Sequence, residues 1–274
     1  MGTDNPNTPP AQAGRADESV PAAMTVKNLS FAYGNNKIIR KMSLTVPKGK
    51  VTTIMGGNGC GKSTLFSLMT KNLEPAKGRI YLGKKNINDM TLGDFARKVA
   101  IVHQHNTASG DTTVEKLVSF GRTPYQNMMG GDHSEDEKYI KWALDVTGLT
   151  PFKDREVARL SGGQRQRVWI AMALAQNTEI LLLDEPTTYL DIHYQLEILQ
   201  LVRMLNHSYG ITIVMVLHEI NQAIRFSDNV VGMKGGKVLV QGDPNEVITS
   251  DVLYELYGIR LGVATIDGRK YVMI

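Results

Sequence analysis

The chain is 274 residues long and 42% hydrophobic, enough apolar material for a sizeable core, which excludes global disorder and fits one or two domains. Its net charge of +4, from 31 Lys/Arg and 27 Asp/Glu, is too small for a general nucleic-acid footprint. One cysteine, Cys60, excludes an internal disulfide and a thiolate-rich zinc site, and points to a reducing cytoplasm.

In chain order, residues 1–23 hold four prolines, no aromatic residue and many small polar ones, and read as a disordered tail. They lack a basic region followed by an apolar one, so they do not read as a secretory signal. MTVKNLSFAYG and IIRKMSLTV alternate apolar and polar residues as strands do, with Gly34-Asn35-Asn36 as the turn. VTTIM (51–55) predicts a third strand, followed by a glycine-rich loop and a helix over STLFSLMTKNL. RIYLGKKNI and VAIVHQ (99–104) each predict one further strand.

Residues 105–160 change character, with helical signals and few β-branched runs. TTVEKLVSFG predicts a short helix, and Ser134 with Glu137 makes a capping box opening another over EDEKYIKWALDVTGL. Then follow a helix (162–176), a strand (EILLLD), a helix (191–207), a strand (ITIVMVL) and a helix (219–227). Strands alternating with helices predict a mainly parallel sheet covered on both faces. A strand pair around Lys234-Gly235-Gly236, a helix near 244–257 and a terminal hairpin complete the chain. No apolar run reaches the ~20 residues needed to span a bilayer.

Gly56-Gly57-Asn58-Gly59-Cys60-Gly61-Lys62-Ser63, followed by Thr64, fits G-x-x-x-x-G-K-[ST] between a predicted strand and a predicted helix. Glycines let the backbone wrap phosphates closely, and the helix N-terminus adds roughly half a positive charge. Lys62 can reach the β- and γ-phosphates and Ser63 can ligate Mg²⁺. Cys60 reads as a bystander whose backbone N–H matters more than its sulfur. The charge pattern agrees: residues 24–104 carry 14 Lys/Arg against 3 Asp/Glu, while 105–274 carry 16 against 21.

The apolar strand ILLLDEP (180–186) ends in two acids at the sheet edge where ligands bind in open α/β folds. Asp184 would hold Mg²⁺, directly or through water, and Glu185 would polarise or deprotonate an attacking water. Without the phosphate loop, such a pair would more often be a helix cap.

Leu160-Ser161-Gly162-Gly163-Gln164 lies about 100 residues after the phosphate loop and resembles the signature motif of ATP-binding cassette (ABC) ATPases. It places a hydroxyl and two glycines at a helix N-terminus, ready to donate to an anion. Further positions follow from the resemblance alone. Tyr33 is similar to the aromatic residue that stacks on adenine, although strand alternation by itself makes it a surface or core tyrosine. Gln104 resembles the glutamine that ligates Mg²⁺ and senses the transport partner. Asp191 resembles the aspartate between paired cassettes, and His218 the histidine that contacts the γ-phosphate. Tyr189 departs from the family's usual alanine, which leaves packing across a dimer open.

The resemblance implies an α/β P-loop NTPase cassette over 24–250: a mainly parallel core, an N-terminal antiparallel β subdomain and a helical subdomain near 105–160. Residues 251–274 would be an extension packed on that core. With one phosphate loop and one signature, the chain needs a second copy, and two ATPs with Mg²⁺ would close a head-to-tail homodimer. Having no membrane span, it would borrow one from permease subunits at the cytoplasmic face of the membrane, supplied by an extracytoplasmic chelate-binding protein. TTVEKLVSFGRTPYQNMM (112–129) and VLHEINQAIRFSD (216–228) resemble cassettes of importers for iron–siderophore, haem and cobalamin chelates, with ferric siderophores favoured. The basic first third also admits a nucleic-acid-linked ABC ATPase as a minor alternative. A cassette that binds without hydrolysing is disfavoured by Glu185 and His218.

Overall fold

The computed structural model describes residues 21–125 and 134–273. Most of the predicted tail, 1–20, lies outside the described residues, but Ala22 and Ala23 do not belong to a tail. They open strand β1 (Ala22–Tyr33), which pairs antiparallel with β2 (Asn36–Pro47) across the Gly34-Asn35 turn. β3 (Val51–Met55) leads through the glycine loop into α1 (Lys62–Met69). The stretch expected to be one strand is a hairpin, β4 (Lys77–Leu82) and β5 (Lys85–Asn86), because Gly83 takes a positive φ and turns the chain. A short helix that the sequence reading missed, α2 (Leu92–Ala96), precedes β6 (Val99–Val102).

Then come α3 (Val114–Ser119), α4 (Ser134–Val146) and α5 (Gly162–Ala175). Ser134, expected to cap α4 in a box with Glu137, is instead its first residue; the position that precedes the helix lies outside the described residues. Strands and helices next alternate as predicted: β7 (Ile180–Leu183), α6 (Ile192–Tyr209), β8 (Thr212–Val216), α7 (Ile220–Phe226), β9 (Asn229–Lys234) and β10 (Lys237–Gly242). The helix expected over 244–257 is two, α8 (Pro244–Val247) and α9 (Ser250–Tyr257). The break falls at buried Ile248, and the Thr249 side chain caps the second helix. A hairpin, β11 (Gly262–Ile266) and β12 (Arg269–Met273), follows.

The main sheet runs β10-β9-β3-β8-β7-β6, with every pairing parallel except β10 on β9. Its strands β3, β7 and β8 are buried at every position because both faces are covered, and side-chain alternation divides their apolar residues between two cores. Leu181, Leu183, Ile213 and Met215 join the core built with α3 to α7 and α9. Ile180, Leu182, Val214 and Val216 join the other, built with α1 and the four-stranded antiparallel sheet β2-β1-β4-β5. Helix α1 therefore lies between the two sheets, burying Leu65, Phe66, Leu68 and Met69.

The helical insert is pinned by a buried cation. Arg122 donates from Nε to Asp136 on α4 (2.7 Å) and from Nη1 to the Ala175 carbonyl at the end of α5 (2.8 Å). The rings of Tyr125 and Tyr139 lie 4.1 and 4.6 Å from its guanidinium carbon, the arrangement a cation–π contact needs.

Candidate functional site

Parallel strands aim their carboxyl ends at one edge of the sheet, where loops can gather without breaking the ladder. Along that edge, β3 ends at the phosphate loop, β8 runs into Leu217-His218, β7 into Asp184-Glu185 and β6 into His103-Gln104. Four motifs up to 160 residues apart in sequence thus become neighbours.

The glycine loop is held by steric demand. Gly56 has φ +146°, and a Cβ there would stand 2.3 Å from the Met233 carbonyl oxygen, so no other residue fits. Gly59 and Gly61 also take positive φ. Lys62, the first residue of α1, is buried and donates from Nζ to the carbonyls of Gly56 (2.8 Å) and Gly57 (3.2 Å). Asn58 and Ser63 are exposed, whereas Cys60 and Thr64 are buried.

Glu185 is the hub of the edge. It has φ +49°, a left-handed conformation costing on the order of 1–3 kcal/mol for a residue with a side chain. Side-chain bonds from three directions offset that strain. Gln104 Nε2 donates to Oε2 at 2.7 Å, Thr188 Oγ1 donates to the same oxygen at 3.1 Å, and His218 Nε2 lies 2.6 Å from Oε1. The strands β6, β7 and β8 are thereby tied through one carboxylate. The neighbouring Asp184 has its pKa raised to about 6, first by burial and then by the Glu185 charge, with His218 and His105 pulling it down.

Tyr33 is 54% exposed at the end of β1, its ring edge-on to Phe31 at 4.9 Å between centroids. It lies on the four-stranded antiparallel sheet and not on the sheet that carries the glycine loop. Tyr189 is 85% exposed, has φ +63°, and stacks on His105 (6.2 Å, 28°), so the chain after Glu185 touches the chain after Gln104.

Ser161 caps α5. Its Oγ accepts from Gln164 N (3.2 Å) and Gln164 Oε1 accepts from Ser161 N (3.1 Å), a complete capping box. Gly163 is required by packing, since a Cβ there would meet the Tyr194 ring at 2.4 Å, while Gly162 faces solvent. Asp191 caps α6, accepting from Tyr194 N at 3.1 Å. Among the described residues no hydrogen bond joins Ser161–Gln164 to residues 56–64. The structure thus gathers Lys62, Gln104, Asp184, Glu185 and His218 on one edge and leaves the signature segment apart from them.

A family model described as ABC transporter matches residues 39–188. The chain belongs to the ABC transporter family. It is an ATP-hydrolysing cassette, with the α/β fold and subdomains that family implies. The cassette is 46% identical over 243 residues to the iron(3+)-hydroxamate import ATP-binding protein FhuC of Bacillus subtilis, covering 89% of this chain and 90% of that one. It is 41% identical to the ferric enterobactin transport ATP-binding protein FepC of Escherichia coli, covering 89% of each. Among solved structures, a dimeric ATP-binding cassette in a post-hydrolysis state with ADP and Pi matches with a TM-score of 0.68. That match has 30% identity over 81% of this cassette and 98% of the other.

Two contributors to the cassette's site escaped sequence reading. Thr188 donates to Glu185 from three residues downstream, a spacing that signals nothing outside a helix or strand. His105 was passed over because only the strand-end Gln104 before it carries the family pattern. No helix among the described residues is long and apolar enough to cross a membrane.

Proposed function

We propose that this cassette drives import of a ferric siderophore through permease subunits, using ATP bound along the edge formed by β3, β8, β7 and β6. The observation that carries the catalytic half is the Glu185 carboxylate held by Gln104, Thr188 and His218 on the same sheet edge as the phosphate loop. The similarity to siderophore importer subunits at 41–46% identity supports the choice of cargo.

In this reading the amides of Gly57 to Ser63 and the start of α1 cradle the β- and γ-phosphates, and Tyr33 stacks on the adenine. Lys62 exchanges the Gly56 and Gly57 carbonyls for phosphate oxygens. His218 contacts the γ-phosphate, and Glu185 takes the proton of the attacking water. The Ser63 hydroxyl, the Gln104 side-chain oxygen and the Asp184 carboxylate form an all-oxygen donor set, which suits Mg²⁺. The raised pKa of Asp184 fits this too, because a carboxylate strained by burial and a like charge gains most from a cation. Mg²⁺ would neutralise charge building on the phosphates.

The capped start of α5, with Ser161 and the exposed Gly162, would serve the nucleotide of a second copy, so a head-to-tail homodimer encloses two ATPs. Asp191 would stand at that junction. The insert containing α3 and α4 would meet the permease at the cytoplasmic face, and an extracytoplasmic chelate-binding protein would deliver cargo on the other side. Deleting the gene should abolish growth on a ferric siderophore as sole iron source. The intact chain should restore it and Glu185→Gln should not; growth and uptake unaffected by the deletion would overturn the assignment.

A further inference from the structure

The surplus of positive charge in the first third of the chain is larger than the phosphate loop uses. Of the 14 Lys/Arg in residues 24–104, the loop takes only Lys62. Four others gather, together with Lys237, in an open groove of about 950 Å³. Lys37, Arg40 and Lys41 come from β2, Lys77 from β4 and Lys237 from β10. No Asp or Glu lines the groove, and neither Tyr33 nor any residue of 56–64, 103–105, 184–185 or 218 does. Among the described residues, none of the five side chains has an ion-pair or hydrogen-bond partner.

The backbone brings these cations together. Lys41 N donates to Ser30 Oγ at 3.0 Å, and Lys77 pairs with Ser30 across the β1–β4 ladder, so the two lysines flank one residue. Arg40 N donates to the Gly236 carbonyl at 2.9 Å, which sets Arg40 beside Lys237. Between Ile39, opposite Phe31, and Met42, opposite Leu29, β2 has two residues where β1 has one. This bulge holds Lys41 at φ +49°, a strained conformation for a lysine. It also leaves Arg40 and Lys41 both exposed, where regular alternation would turn one of them inward. A glycine or an asparagine would hold the same bend more cheaply. Like charges converging without a counter-ion repel one another, and a cleft of one sign concentrates anions.

We propose that this groove binds a small molecule carrying several phosphate groups, at a site separate from the phosphate loop. Five cations exceed what one carboxylate or one phosphate can satisfy, and side chains spread over three strands suit phosphates in series. The volume lies within the ~300–1,000 Å³ of small-molecule sites, and a concave groove fits a soluble ligand better than a flat membrane surface. Lys237 belongs to the main sheet and the other four cations to the antiparallel one, so the ligand bridges the two sheets.

The test titrates inorganic tripolyphosphate into the full-length chain by calorimetry, without Mg²⁺. Lys62→Ala, which takes the lysine from the phosphate loop, should leave one saturable site; loss of all binding in that variant would assign the anion to the loop and overturn the proposal. In the Lys62→Ala background, Lys41→Asn with Lys77→Gln should weaken binding 10-fold or more, because each charge-assisted contact to phosphate is worth about tenfold. Asparagine tolerates the left-handed backbone at that position, so the bulge is kept. Lys237→Gln, on the other sheet, should weaken binding about 5-fold or more by itself. Lys84→Gln with Lys85→Gln, two exposed lysines outside the groove, should change it less than about 2-fold. Absence of a saturable site, or an equal loss from the Lys84 and Lys85 pair, would reduce the groove to a solvated basic surface and overturn the proposal. Binding to phosphatidylglycerol vesicles that depends on Lys41 and Lys77, with no binding of tripolyphosphate, would overturn it in favour of a membrane contact.

Discussion

Glu185→Gln separates chemistry from binding because it changes one atom at the hub of the site. The carboxylate accepts on both oxygens: from Gln104 and Thr188 on Oε2, and beside His218 on Oε1. A glutamine amide has one accepting oxygen, so its NH₂ needs an acceptor on the side it faces: either an unprotonated Nε2 on His218 or the side-chain oxygen of a flipped Gln104. That rearrangement costs at most about one hydrogen bond, ~1 kcal/mol, on a backbone already held at φ +49°. The chemical effect is larger. Removing a general base typically costs ~10²–10⁴ in rate, or ~3–5 kcal/mol of transition-state stabilisation at ~1.36 kcal/mol per tenfold. Nucleotide affinity should hold or rise, since Lys62 and the loop amides are untouched and a negative charge near the phosphates has gone. Phosphate release at saturating Mg-ATP gives the rate, calorimetry the affinity, and light scattering the expected ATP-trapped dimer. Turnover within ~3-fold of the unmodified chain, far short of what loss of a base removes, would refute the role of Glu185. A protein that stays monomeric at saturating ATP would refute the proposed head-to-tail dimer.

Lys62→Ala should weaken ATP and ADP binding by an order of magnitude or more, about the worth of a charge-assisted bond to phosphate, as read by calorimetry. Gly56→Ala should abolish nucleotide binding and lower Tm, because its Cβ meets the Met233 carbonyl oxygen at 2.3 Å; normal binding would show that the loop has another accessible shape. Arg122→Ala should destabilise the chain by ~3 kcal/mol through loss of a buried pair, seen in chemical denaturation, and a shift under ~1 kcal/mol would make it an ordinary surface pair. Asp184→Asn should raise the Tm without nucleotide. The carboxyl's native pKa, about 6, lies above its ordinary 3.8, so its ionisation costs stability increasingly from pH 4 to 6 and fully above. Discounted for partial exposure, the gain should be ~1–2 kcal/mol at pH 8 and should vanish towards pH 4; a gain independent of pH would assign it to another cause.

Much of this fold is written in local signals. ILLL and TIVMV are buried at every position, and apolar at all but Thr212, because both sheet faces are covered, and Ser161 and Asp191 announce helix starts by their side chains. Errors fell where a short-range feature outweighed the run around it. Gly83 divides one apparent strand, Thr249 divides one apparent helix, and α2 is five residues long, too short for a periodic pattern to register. The site was legible residue by residue but not as a network. Nothing in the sequence says that Gln104 bonds Glu185 across 81 positions, because strand order in a parallel sheet is set by crossover packing and not by chain order.

The signature segment illustrates why a half-site can be rigid before it meets its other half. Ser161 Oγ already accepts from Gln164 N, which fixes the first turn of α5, yet its own O–H remains to be donated and Gly162 stays open to solvent. Packing of Gly163 on the Tyr194 ring ties that turn to α6, and Leu190 lies 3.4 Å from where a Gly162 Cβ would stand. In the proposed dimer these donors would need little ordering when an anion arrives, which would lower the entropy cost of closing around it. The same α6 is capped by Asp191, a few residues after Glu185, so in the proposed dimer a short stretch of chain would link the hub carboxylate to the surface offered to the second copy. In the proposed dimer, a γ-phosphate gripped by that surface and polarised beside Glu185 is felt at both ends of this link. ADP lacks the group that joins them, and that difference in contacts is what allows hydrolysis to reopen the pair.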